Sequence, residues 1–112
     1  MKTKFIERLE RQLEEELPGR QAQLKMAPPH RAVDVEIPDD RKLACVLLLL
    51  IPKGDEWHVT LIERVVSNTD DPHSGQLGFP GGKFEESDYS YQDCALRETE
   101  EEIGVNQSEI GI

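Results

Sequence analysis

The chain has 112 residues, with 13 basic against 23 acidic side chains and a formal net charge of −10. A chain this long supports one domain with one modest core, burying roughly two-thirds of its unfolded surface. The charge argues against a nucleic-acid partner, which wants a basic stripe, and against an anionic membrane surface; it would also repel a polyphosphate unless cations screened the field. Met1-Lys2-Thr3-Lys4-Phe5 opens into a charged helix and is no signal peptide. Thr3 is placed to cap that helix, Phe5, Leu9, Leu13 and Leu17 recur every four residues with Ile6 beside them, and Pro18-Gly19 is expected to end it. Residues 20–30 read as a linker closing on Pro28-Pro29, which divides the chain into 1–30, helix and linker, and 31–112, a domain. Residues 32–37 suit a short strand and Pro38-Asp39-Asp40 a turn.

Residues 43–51 are leucine-rich and β-branched with no polar alternation, the pattern of a strand covered on both faces and far too short to span a bilayer. After a turn at 52–56, residues 57–66 are expected to return as the partner strand of a hairpin. Trp57 suits a packing role in that hairpin, and Phe79 a place in the core. Residues 67–78 form a polar loop long enough to be functional, and 77–80 a short strand. Within the loop, Asp70-Asp71 lacks the spacing of a calcium loop, and His73-Ser74 has no third member for a nucleophile site. His30 and His58 are too scattered for zinc. Cys45 and Cys94 read as buried free thiols of a reducing compartment, here the cytoplasm.

The densest chemistry lies in a helix expected from Tyr89 or Ser90 to Ile103, with Gly104 as its C-cap. Glu98, Glu101 and Glu102 fall at i, i+3 and i+4 on one face, while Leu96, Thr99 and Ile103 fall on a face suited to burial. Each like-charge pair at this spacing costs on the order of 0.2–0.5 kcal/mol. No lysine between Arg97 and Val105 relieves it. Two readings follow from charge and spacing alone: a solvated acidic face, or a seat for a divalent cation that turns the repulsion into attraction. Magnesium, a hard ion that bridges carboxylates to phosphate oxygens, suits the second.

The segment 81–105, with Gly81-Gly82 ahead of Arg97-Glu98-Thr99-Glu100-Glu101-Glu102-Ile103-Gly104-Val105, resembles the signature box of the Nudix hydrolases. Arg97, Glu98, Glu101, Glu102, Gly104 and Val105 match position by position; Thr99 stands where an aliphatic residue is usual, and Asp88 where a glutamate is. One extra residue between Gly82 and Arg97, together with Gly75 and Phe79-Pro80-Gly81-Gly82 upstream, is similar to the coenzyme A pyrophosphatase-like branch. That branch expects an arginine where Asp71 stands, which leaves Arg64 as a displaced substitute.

The resemblance implies an α/β fold, an α/β/α sandwich around a mixed sheet preceded by the N-terminal helix. With only 106–112 after the box, it also implies that the C-terminal part is truncated, which would leave sheet edges and an apolar face open to homo-oligomer formation. It implies hydrolysis of a pyrophosphate bond in a nucleoside diphosphate-linked molecule, possible substrates including coenzyme A, with Mg2+ or Mn2+ as cofactor. Gly81 through its carbonyl and Glu98, Glu101 and Glu102 through their carboxylates would hold the metal. Glu98 would also orient or deprotonate water, and Arg97 would pair with a neighbouring carboxylate. Two simpler roles stay open beside these: a surface pair of Arg97 with Glu101, and a turn at Gly81 that needs positive φ. Glu85 and Asp88 are further acidic candidates. The alternative function is a non-catalytic nucleotide-binding module, or an inactive piece of a longer hydrolase.

Overall fold

A computed structural model describes residues 3–29, 36–65 and 75–112. Two compact units divide the chain, Met1–Pro38 and Asp39–Ile112. The expectations for residues 32–35, for His30, for 66–74 with Asp70, Asp71, His73 and Ser74, and for the whole middle of the polar loop lie outside the described residues.

In the first unit, α1 spans Lys4–Leu13 and α2 spans Gly19–Leu24. Thr3 occupies the N-cap position of α1 in extended backbone, without a side-chain capping bond. The helix stops one turn earlier than the leucine spacing predicts. Glu14, Glu15 and Glu16 follow it directly, and three carboxylates are unfavourable at the negative end of a helix dipole. Pro18 then disfavours helical backbone at Leu17. The expected linker is in part helical: Arg20, Gln21, Ala22, Gln23 and Leu24 are all good helix formers, and α2 starts beyond Pro18.

Among its described residues the second unit holds six short strands and one long helix. β1 (Ala44–Val46) pairs antiparallel with β6 (Gly81–Lys83), β2 (Leu50–Lys53) with β3 (Glu56–Val59), and β4 (Ile62–Glu63) with β5 (Leu77–Gly78). The predicted hairpin is therefore present, with Gly54 at φ 62° in its turn. The apolar run 43–51 is not one strand with one partner. Its first half hydrogen-bonds to β6, flanked by Phe84 N donating to Leu43 O at 2.9 Å and Leu47 N donating to Pro80 O at 2.8 Å. Its second half pairs with β3, and Thr60 N donates to Leu49 O at 2.9 Å where the partner changes. The return strand breaks likewise at Thr60-Leu61, after which β4 turns to β5.

Nor, among the described residues, is the run covered on both faces. Cys45, Leu47 and Leu49 are half-buried, whereas Val46 and Leu48 are 62% and 56% exposed. Alternation of this kind is the pleat of a strand packed on one side only. Phe79, expected in the core, is 40% exposed, and the buried neighbour is Pro80. Trp57 is half-buried.

α3 spans Tyr91–Ile103 and packs on β6 and β1. Ser90 Oγ accepts from Asp93 N at 3.1 Å, and Gly104, at φ 73°, closes the helix with its N–H on Glu100 O at 2.9 Å. These are the boundaries the sequence predicts. The buried residues of α3 are Cys94, Ala95 and Thr99, with Leu96 and Ile103 half-buried at the edges of that face. Thr99 is tolerated in full burial because its hydroxyl donates to Ala95 O at 2.7 Å. A short 3-10 turn, Gln107–Glu109, follows, capped by Asn106. Among the described residues no helix is long and apolar enough to cross a membrane.

Candidate functional site

The site is built where α3 lies across β6. Two glycines let it form, each for a steric reason. A Cβ on Gly81 would fall 2.7 Å from Val46 Cα and closer still to the Cys45 carbonyl, so only glycine lets β6 approach β1 here. A Cβ on Gly82 would fall 2.5 Å from Glu98 Cδ and 2.5 Å from its Oε2, so the missing side chain is the space the Glu98 carboxylate fills. Gly81 does not have positive φ, which corrects the turn expected there; it is a strand residue opposite Val46.

Glu102 reaches the same two residues from the next turn of the helix, its Oε2 accepting from Gly81 N at 3.1 Å. Glu98 and Glu102 thus converge on Gly81-Gly82, as their i, i+4 spacing allows. Glu101, its side chain 59% exposed, has no contact with Gly81 or Gly82 among those of the described residues and meets the site only through Arg97 Nη1. Among the described residues, no three His, Cys, Asp or Glu side chains are gathered as a ready cation cage.

Arg97 organises the site's edge. Nε and Nη2 form a two-pronged pair with Asp88 Oδ1 and Oδ2, both at 2.8 Å. Nη1 donates to Glu98 Oε1 at 2.9 Å and Nη2 to the Lys83 carbonyl at 3.3 Å. The surface pair with Glu101 is the longest of its carboxylate contacts, at 3.5 Å. A planar guanidinium held at both ends fixes the rotamer of everything it touches. Asp88 completes its own shell by accepting from Glu85 N at 2.9 Å, while Asp88 N donates to Glu85 O at 3.0 Å. Its side chain is only 4% exposed. Phe84 and Tyr91, edge to face with ring centroids 5.4 Å apart, hold the intervening segment against the start of α3.

The partner of Arg97 was not identifiable from spacing, because Asp88 lies nine residues away across a loop. The signal available was the substitution of a shorter acid at a box position. Glu85 bonds here through its backbone, and its carboxylate acts on Arg97 only through its charge. His58 lies apart, 3.4 Å from Glu56 on the hairpin. Next to Glu102 a hollow of about 350 Å³ is lined by Ile62, Glu63, Arg64 and Val65, which brings Arg64 to the side of the site.

The Arg97 guanidinium, by hydrogen bonding, and then the Glu85 amide hold the Asp88 carboxyl well below the usual carboxylate range. Arg97 in turn is raised above its ordinary value by Asp88 and then Glu98. As pH falls below about 4, the unfolded chain therefore takes up a proton that folded Asp88 refuses. The contribution of Asp88 to stability is complete above that range and is lost below it. Melting curves from pH 7 down to pH 2 should show a steeper acid decline for the native chain than for Asp88→Asn; parallel curves would contradict this pairing.

A NUDIX domain model matches residues 40–112, and the chain belongs to that family. It is 41% identical over 71 residues to Nudix hydrolase 22, chloroplastic, of Arabidopsis thaliana, covering 63% of this chain and 23% of the plant protein. It is 34% identical over 90 residues to the uncharacterized Nudix hydrolase NudL of Photorhabdus laumondii, covering 80% of this chain and 44% of that one. With the peroxisomal coenzyme A diphosphatase 1 of Saccharomyces cerevisiae it shares 40% identity over 68 residues, covering 61% and 19%. The chain spans less than half the length of these relatives. No solved structure matches it.

Proposed function

We propose that this chain carries the metal-binding and water-activating helix of a pyrophosphohydrolase acting on a nucleoside diphosphate-linked molecule. One observation carries the reading: Glu98 and Glu102 converge on Gly81-Gly82, in a space that a Cβ on Gly82 would fill. Carboxylate oxygens beside a backbone carbonyl are hard donors, and that set fits Mg2+ or Mn2+. Glu98, Glu102 and the Gly81 carbonyl would hold the ion, with Glu101 swinging in from its exposed position. Bound there, the cation supplies charge neutralisation at the phosphate oxygens and a lowered pKa for water. Glu98 orients or deprotonates the attacking water, and Arg97, fixed by Asp88, keeps the Glu98 carboxylate in place. Arg64, which lines the same hollow as Glu102, would meet an anionic group of the substrate. Coenzyme A is the substrate suggested by the name of the yeast relative. The reading extends to an α/β/α sandwich with a mixed sheet for 31–112, the helical segment 1–30 standing before it, a cytoplasmic setting, and a homo-oligomer formed through the exposed face of residues 43–51.

The test is phosphate release from a panel of nucleoside diphosphate derivatives, coenzyme A included, by the full-length protein. Hydrolysis should need millimolar Mg2+ or Mn2+ and stop on chelation. Calorimetry run in parallel separates the alternative: nucleotide binding with metal but no release would mark a binding module and overturn the enzymatic reading.

A further inference from the structure

Two thiols lie beneath the site, and its chemistry uses neither. Cys45 stands in the middle of β1, directly opposite Gly82 in the β1–β6 register. Cys94, fully buried in the first turns of α3, aims its sulfur at the same residue, 3.7 Å from Gly82 O and 3.6 Å from Lys83 O. A Cβ on Gly82 would meet Glu98 of α3, so Cys45, the register partner of Gly82, faces the same helix and shares its groove with Ala95, the neighbour of Cys94. Their surroundings differ. Cys45 is half-buried and opens on an apolar groove of about 510 Å³, lined in part by Leu43, Val46 and Tyr91. Cys94 has no such opening. Burial, and then the nearby Cys45 thiol, push its thiol up to about 11.

We propose that Cys45 and Cys94 form a reversible disulfide between β1 and α3 when a peroxide enters the groove. The Cys45 sulfur attacks one peroxide oxygen, the O–O bond breaks, and the departing oxygen takes up the proton that the Cys45 thiol gives up and leaves as water, giving a sulfenic acid on Cys45. The Cys94 sulfur then attacks the Cys45 sulfur. The S–O bond breaks and the hydroxyl leaves with the Cys94 proton as a second water. Both sulfurs are oxidised, one peroxide is reduced, and a dithiol reverses the step by exchange. The asymmetry sets the order: the reachable thiol reacts first, and the buried one, shielded from outside reagents, acts only on its neighbour. The bond would clamp β1 to the turn of α3 that precedes Arg97, whose Nη2 already lies 3.9 Å from the Cys94 sulfur.

The experiment is a titration of the reduced protein with hydrogen peroxide, read by intact mass and by peptide mapping without reductant. The expected product is a monomer lighter by two hydrogens, a linked pair of peptides containing Cys45 and Cys94, and full recovery with dithiothreitol. Cys45→Ser and Cys94→Ala should each abolish it. If either variant fails to fold, the map of the native chain decides alone. Cys45 driven to sulfinic acid while Cys94 stays a free thiol, dimers joined through Cys45, or two unreacted thiols would each overturn the proposal.

Discussion

Glu98→Gln in the full-length protein is expected to lower nucleotide hydrolysis about a thousandfold, the range in which catalytic acids and bases fall. That factor corresponds to about 4 kcal/mol of transition-state stabilisation. Glutamine keeps the volume that fills the space over Gly82, and its Oε1 can still accept from Arg97 Nη1. The change therefore removes charge and basicity and little else. Stability should move by no more than about 0.5 kcal/mol, because relief from Glu101 and Glu102 offsets what is lost to Arg97. Loss of turnover at constant melting temperature, with weaker Mg2+ binding by calorimetry, is the signature of a carboxylate retained for function. Full turnover in the variant would return Glu98, Glu101 and Glu102 to a merely solvated acidic face.

What the sequence reveals of this molecule follows the range of the interactions involved. The limits of α3 are local: Ser90 reaches three residues ahead and Gly104 needs a left-handed backbone, so both ends could be placed from the sequence. The hairpin of β2 and β3 is nearly as local. The run 43–51 misleads because hydrophobic content reports how much a segment can bury, not how much is buried. One side of its first half, β1, rests on α3, and Val46 and Leu48 on the other are open among the described residues. Within the site, the shared face of Glu98 and Glu102 follows from helical geometry. The Arg97–Asp88 pair and the seat over Gly82 do not, since both depend on how the 83–90 segment folds back onto the helix. Gly81-Gly82 is the instructive case: a glycine pair suggests a turn, but here both lie in a strand, each cleared of its side chain by a different neighbour.

That difference makes the two glycines separable. Gly81→Ala drives a methyl into the backbone of β1, against the Cys45 carbonyl and Val46 Cα, where nothing can rotate away. Relief requires β1 and β6 to part, at a cost of about 2–4 kcal/mol, within the span for overpacking and lost strand bonds. For a unit of this size the melting temperature should fall by about 10 °C or more. Gly82→Ala drives the same methyl into the far end of a flexible side chain. Glu98 can swing aside by rotating about its own χ angles, and Gly82 has no positive φ that alanine would resist. The fold should survive with a small change in melting temperature, while hydrolysis falls about 10–100-fold as Glu98 loses its seat and its alignment with Arg97, the loss typical when support for a metal ligand is removed. The pair of variants thus reads structure at one position and chemistry at the next. A Gly82→Ala protein that turns over normally would mean that Glu98 does not work from the place it occupies here. A Gly81→Ala protein as stable as the parent would mean that β1 and β6 do not approach as closely as their pairing requires.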